Sequence, residues 1–121
     1  GMPEYARANL GWAYYQKKDN QRAWKELHEA VSRSPGFCVG RYRLAKVYVD
    51  RGEIDQAMDA LAPVISDVKR CPIQEAQLLG GLLNERKRET ASARELFQRC
   101  IDMAPRSCIA DECRRYAQLL Q

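Results

Sequence analysis

The 121-residue chain holds a single histidine, His28, and it has no Cys-x-x-Cys pair and no glycine-rich phosphate loop. An enzyme needs a nucleophile, a base or a metal in convergent geometry. A lone histidine on a helical stretch serves as a solvated or hydrogen-bonded side chain rather than as a catalytic base. The missing Cys-x-x-Cys argues against a thioredoxin-like centre and against a common zinc knuckle. The glycines of "LLGGLL", residues 78–83, sit inside an apolar helical run, where they pack rather than cradle phosphate. The expectation is a non-enzymatic protein with no cofactor, no metal and no small-molecule substrate.

Long apolar runs are also missing. The run "EAQLLGGLLNERKR" has about nine uncharged residues in a row, far short of a membrane span. One-signed charge is missing too. The net charge is +4, and Lys, Arg, Asp and Glu are interleaved throughout, so no nucleic-acid footprint is expected. Gly1 precedes Met2 and reads as an expression scar. A signal peptide or lipid anchor ahead of Met2 is therefore an open matter, and an anchor is the one expected route to a membrane.

What the chain does have is an internal repeat. At an offset of 34 residues Gly11 meets Ala45, Tyr14 meets Tyr48, Ala23 meets Ala57, Leu27 meets Leu61 and Ala30 meets Val64. At a further 36, Ala45 meets Gly81, Ala57 meets Ala93, Leu61 meets Phe97 and Val64 meets Cys100. Small and large residues recur in one order. Each copy reads as two helices, as in "EYARANLGWAYYQKK" and "QRAWKELHEAVSRSP", each apolar at helical spacing. The breaks are "KKDN", "RGEID" and "RKRET", where Asp19 or Asn20, Asp55 and Thr90 are placed to cap the following helix. Pro35 and Pro105 close the first and third copies. Pro63 falls inside the second helix of the second copy, where a kink costing about 3 kcal/mol is expected unless the longer copy absorbs it.

These residues resemble the tetratricopeptide repeat, whose pattern is a large residue, Leu-Gly, Tyr, Ala, an aromatic and Pro. The first copy supplies Leu10, Gly11, Tyr14, Ala23, Leu27 and Pro35. The second supplies Leu44, Ala45, Tyr48, Gly52, Ala57 and Leu61, and the third Gly81, Ala93, Phe97 and Pro105. Arg7 stands where the family has Trp, Asn84 where it has Tyr, and the second copy lacks a closing Pro at Lys69. The resemblance implies an all-α solenoid of three helix-turn-helix repeats, about 4–37, 38–73 and 74–107, with a capping helix at about 108–120, in one domain spanning 4–121. Gly11, Ala45 and Gly81 then let paired helices approach, and Leu27, Leu61 and Phe97 fill the space between. Ile109, Cys113, Tyr116 and Leu120 of the last helix cover the flank of the third repeat.

The resemblance further implies a concave side lined by the first helices. Its candidate binding residues are Tyr5, Trp12 and Tyr15, then Tyr42, Lys46 and Val49, then Leu78, Leu82 and Arg86. Ala8, Gln16, Val39, Asp50, Glu75 and Glu85 share that side. Family members that bind chaperone tails hold a terminal carboxylate with Lys and Asn. At the positions assigned to that clamp this chain has Ala8, Trp12, Leu78 and Leu82, so a chaperone-tail partner is not expected. An aromatic and aliphatic surface suits an apolar segment of a protein partner. Leu10, Ala13 and Tyr14 form a second stripe that is expected to serve the core. The Tyr and Trp stripe is then either a binding surface or the seat of a further, upstream repeat.

Five cysteines remain: Cys38, Cys71, Cys100, Cys108 and Cys113. On one helix Cys108 and Cys113 would point about 140° apart, so they neither chelate one ion nor pair together. Cys100 takes a small-residue position and reads as a buried hydrophobe. Cys38, Cys71 and Cys108 each stand at the entrance to a first helix. Bridges Cys38–Cys71 or Cys71–Cys108 are open, as is Cys113 facing Cys100. That many cysteines points to an oxidising compartment, with periplasmic or outer-membrane association favoured over cytoplasm. The stretches "NLGWAYYQKKDNQRAWKELHEAVSRSPGFC" and "SCIADEC" are similar to the tetratricopeptide lipoproteins that help type IV pilus secretins assemble. That likeness implies a bacterial assembly factor. The alternatives are a cytoplasmic secretion chaperone of the three-repeat type and a regulatory domain of a larger protein.

Overall fold

Among residues 1–120, which the computed structural model describes, the chain forms seven helices and no strand; Gln121, the last residue of the expected domain, lies outside them. The helices are α1 (Glu4–Gln16), α2 (Asn20–Arg33), α3 (Cys38–Asp50), α4 (Ile54–Ile65), α5 (Gln74–Arg86), α6 (Thr90–Met103) and α7 (Cys108–Leu119). None of them is long and apolar enough to cross a membrane. The chain divides into two compact units, Gly1–Ser66 and Asp67 onward. The first holds α1 to α4 and the second α5 to α7.

The repeated small and large positions form the core. Ala23, Leu27, Ala45, Ala57, Ala93 and Phe97 are fully buried, and Leu61 is nearly so. In the first unit a Cβ added at Gly11 would lie 2.7 Å from Cγ of Leu27, so a side chain there would push α1 off α2. In the second unit the same relation joins Gly81 of α5 to Phe97 of α6. The inner face of α1 is Ala8 and Gly11. Ala13, expected in the core, is exposed, and Leu10 and Tyr14 are only half-buried. Ala8, assigned above to the concave side, has no exposed surface. Ala8 and Gly11 are three apart and share one helix face, whereas Ala13 lies off that face.

The breaks between paired helices share one backbone device. Lys18, Gly52 and Arg88 occupy equivalent positions and all adopt positive φ, at 64°, 76° and 61°. The residue after each donates its backbone N–H back five residues: Asp19 to the Tyr14 carbonyl at 2.9 Å, Glu53 to Tyr48 at 2.9 Å and Glu89 to Asn84 at 2.8 Å. This is the Schellman closure, which satisfies carbonyls left free at a helix end. The same three residues are the N-caps of α2, α4 and α6. Only Asp19 caps with its side chain, accepting from the Arg22 N–H at 3.2 Å. Asp55 lies within the first turn of α4, and Thr90 is the first residue of α6, so neither is the cap expected of it. The left-handed residue brings the cap one or two places earlier than the side-chain pattern implies.

Helix α4 runs through Pro63 and stops two residues later, at Ile65. In the second unit the turn before α5 is closed by Asp67, whose side chain accepts from the Arg70 N–H at 3.2 Å. Helix α7 starts from Ser107, whose hydroxyl accepts from the Ala110 N–H and donates to Oε1 of Gln74, both at 2.9 Å. Gln74 in turn donates to the Cys100 carbonyl at 2.7 Å. This network ties α7 to the start of α5 and the end of α6. Behind it Ala93, Phe97, Cys100 and Cys113 form a buried cluster, against which Ile109, Tyr116 and Leu120 pack.

Candidate functional site

The first unit places six of the candidate binding residues on α1 and α3. Tyr5 is 64% exposed, while Trp12, Tyr15, Tyr42, Lys46 and Val49 are half-buried. Half-burial of large side chains follows from the register. The face of α1 that meets α2 is already filled by Ala8 and Gly11, so its aromatic residues fall on the flank. Trp12 and Tyr15 stack there, with ring centroids 4.6 Å apart and planes 16° from parallel.

Two further residues join this face that the periodic reading passed over. Arg43 donates from Nη1 to Oδ1 of Asn9 at 2.8 Å, and its guanidinium lies 5.3 Å from the centre of the Trp12 ring. A signal for them existed. Asn9 and Arg43 are 34 residues apart, one repeat length, so they occupy the same position on consecutive first helices. Burial alone lowers the Arg43 pKa from the ordinary arginine value. At the far end of the face the Tyr15 hydroxyl hydrogen-bonds Asp50. Burial first, then that bond, the Asp50 charge and Tyr42 push the Tyr15 pKa up to about 12. The hydroxyl is a fixed donor at neutral pH.

In the second unit the candidates divide. Leu78 and Leu82 are half-buried and pack against the cluster of Ala93, Phe97, Cys100 and Cys113, so much of each side chain serves that unit's core. Arg86, the last residue of α5, is exposed. Truncating Leu78 or Leu82 would act on stability as well as on any bound partner.

The cysteines also separate by place. Cys100 of α6 and Cys113 of α7 are joined by a disulfide with Cα atoms 6.4 Å apart, and both are fully buried. Cys100 is therefore more than the small buried hydrophobe its repeat position implies. Cys108, the first residue of α7, is an exposed free thiol. The expectation that it shares a loop side with Cys71 in a bridge does not hold, because its side chain faces solvent. Cys38 opens α3 half-buried, Cys71 is buried in the turn before α5, and neither is a free thiol. His28 stacks on Trp24 within α2, with centroids 4.5 Å apart, and is exposed.

Against known proteins, residues 75–107, the third copy, match the family model described as the tetratricopeptide repeat. The whole chain is similar in structure to the first tetratricopeptide-repeat domain of Spaghetti (RPAP3) bound to the HSP90 peptide SRMEEVD. The TM-score is 0.82 at 16% identity, covering 97% of this chain and 92% of that one. It is also similar to the tetratricopeptide-repeat domain of Arabidopsis OM64, with a TM-score of 0.81 at 15% identity, covering 96% and 94%. No curated protein matches the sequence significantly. Likeness at this level of identity establishes the fold, an all-α helical repeat of tetratricopeptide type.

Proposed function

We propose that the protein is a non-enzymatic scaffold for protein–protein interaction, docking an apolar partner segment against its first helices. The observation that carries this reading is the stacked Trp12–Tyr15 pair, left half-exposed near Tyr42 while Ala8 and Gly11 form the buried face of α1. Aromatic side chains offer large contact area at low entropic cost, which is why they anchor interfaces. The fold supports the reading, since the Spaghetti domain was solved with a peptide bound.

The test is a peptide selected on this protein from a random dodecapeptide display library. Trp12→Ala should weaken its binding at least tenfold and leave the thermal melt nearly unchanged. A melt lowered by many degrees would show that Trp12 is structural and remove the reading. Leu82 is unsuited to this test, because it sits on the core of the second unit.

The finer reading is an assembly factor for a type IV pilus secretin. It rests on the resemblance of "NLGWAYYQKKDNQRAWKELHEAVSRSPGFC" and "SCIADEC" to pilus lipoproteins. The buried Cys100–Cys113 disulfide favours it over a cytoplasmic secretion chaperone, since such bonds persist in oxidising compartments. Deleting the gene in a piliated host and following secretin multimers by gel would test it; unchanged multimers would exclude it.

A further inference from the structure

The α1/α3 face carries two cations that no acid among the described residues pairs with. Elsewhere in the first unit arginines are matched. Arg7 faces Glu26 at 3.1 Å, Arg22 faces Asp19 at 3.6 Å, Arg33 faces Glu29 at 2.7 Å and Arg51 faces Glu53 at 2.7 Å. Arg41 donates to the backbone carbonyls of Pro35 and Ala60. Among the described residues Arg43 has only the neutral Asn9 amide and the face of Trp12. Lys46, one helical turn further along α3 and half-buried, has no ion pair among the described residues. The acid nearest in sequence on this face, Asp50, is engaged by the Tyr15 hydroxyl.

Partial burial of a cation is costly unless an opposite charge or hydrogen bonds replace its water. Arg43 is held in place by Asn9 on one nitrogen and by Trp12 on its plane, which leaves the rest of its donor fork free. Residues three apart on a helix are neighbours, so Arg43 and Lys46 present adjacent donors along one line. Trp12 and Tyr15 lie beside that line as an apolar floor. A fixed, partly desolvated guanidinium beside a second cation is complementary to a carboxylate.

We infer that the partner segment carries an internal Asp or Glu side chain, flanked by apolar residues, which the Arg43–Lys46 pair receives while its neighbours lie on Trp12 and Tyr15. This deepens the scaffold reading and rests on it. The acid belongs to a side chain within the segment because the positions assigned above to a terminal-carboxylate clamp carry Ala8 and Trp12 here, in place of the Lys and Asn that such a clamp uses.

The experiment pans the random dodecapeptide library on the full chain and measures a selected peptide in amidated, N-acetylated form. The expected result is enrichment of Asp or Glu at one position between apolar residues. Arg43→Gln and Lys46→Gln should each weaken binding about tenfold, with helical circular dichroism unchanged. A Lys in place of the peptide acid should restore binding to Arg43→Glu. Peptides that need Trp12 but show no acidic position would overturn the acid while leaving the scaffold reading standing. Binding that requires a free C-terminal carboxylate would overturn the internal side chain. Failure to select any peptide, or selected peptides indifferent to Trp12→Ala, would count against the scaffold reading and this inference together. If Arg43→Gln unfolds the protein, Lys46→Gln, with no bond to lose, carries the measurement.

Discussion

Replacing Gly81 by Ala should destabilise this protein, although the same change in an ordinary helix stabilises. Ala is favoured over Gly inside a helix by about 1 kcal/mol. At position 81 the new Cβ would lie 2.4, 2.6 and 2.9 Å from Cε1, Cδ1 and Cζ of Phe97. The ring would have to give by about 1 Å to reach normal contact. It cannot swing freely, because Phe97 is fully buried and stacks on Tyr116 of α7 with centroids 5.8 Å apart. Overpacking of a filled core costs roughly 1–3 kcal/mol, and a pinned ring puts this site at the upper end. The net effect is about 2 kcal/mol of lost stability, or about 1 M in the urea midpoint.

The second copy supplies a control within the same chain. There the equivalent pair is Ala45 and Leu61, both buried. Phe97→Leu alone should cost about 1 kcal/mol through lost packing. The double variant Gly81→Ala with Phe97→Leu recreates the Ala–Leu pair, so its cost should fall well below the sum of the singles. A coupling of about 2 kcal/mol is expected between residues in direct contact. Urea unfolding followed by circular dichroism measures all four proteins. A Gly81→Ala variant as stable as the parent, or strictly additive changes, would refute the claim that the small position exists to seat the large one.

Three further outcomes follow from the geometry. Lys18→Gly and Arg88→Gly should each raise stability by up to about 1 kcal/mol, because both hold positive φ, whereas Gly52→Ala should lower it by about 1 kcal/mol with no clash to blame; chemical denaturation checks all three, and opposite signs would dismiss the shared closure. Tyr15 should ionise near pH 12 by ultraviolet difference absorbance, and Asp50→Asn should bring it down. Its raised pKa favours the protonated folded form, so that stability is whole below pH 10 and is lost as pH rises towards 12. Non-reducing alkylation under denaturing conditions should label Cys108 and spare Cys100 and Cys113. Cys113→Ser should cost about 3 kcal/mol, from the 13-residue separation that the bond closes.

The repeat was legible because its core positions recur in one order of size at offsets of 34 and then 36 residues. Gly11, Ala23 and Leu27 say in one copy what Gly81, Ala93 and Phe97 say in another. Helix caps were less legible. The closure needs a left-handed residue, and a glycine announces it only at Gly52. Arg88 adopts the same conformation without a sequence sign, which hides Glu89 behind Thr90; after Gly52 the closure is signalled, but Glu53 caps with its backbone alone and Asp55, a better capping side chain, stands two places on. The inner face of α1 is hidden in the sequence for a related reason. Ala8 and Ala13 are chemically identical, and only the approach of α2 decides that the first is buried and the second exposed.

The α1/α3 face shows where a periodic reading stops. Hydrophobic spacing finds Trp12 and Tyr15, since both are apolar and regularly placed. It passes over Arg43, because a charged residue on a helix reads as solvated. What makes Arg43 informative is that no acid among the described residues pairs with it, and that is a fact of three-dimensional neighbourhood. The likeness to a domain bound to an HSP90 peptide does not supply the missing partner either. At 16% identity the two chains share a backbone course and few side chains. The partner is then chosen by the chemistry that this chain places on that backbone. Here it is a stacked indole and phenol beside a guanidinium and an ammonium that pair with no acid among the described residues, which is why we infer an acidic residue set among apolar ones rather than a purely greasy segment.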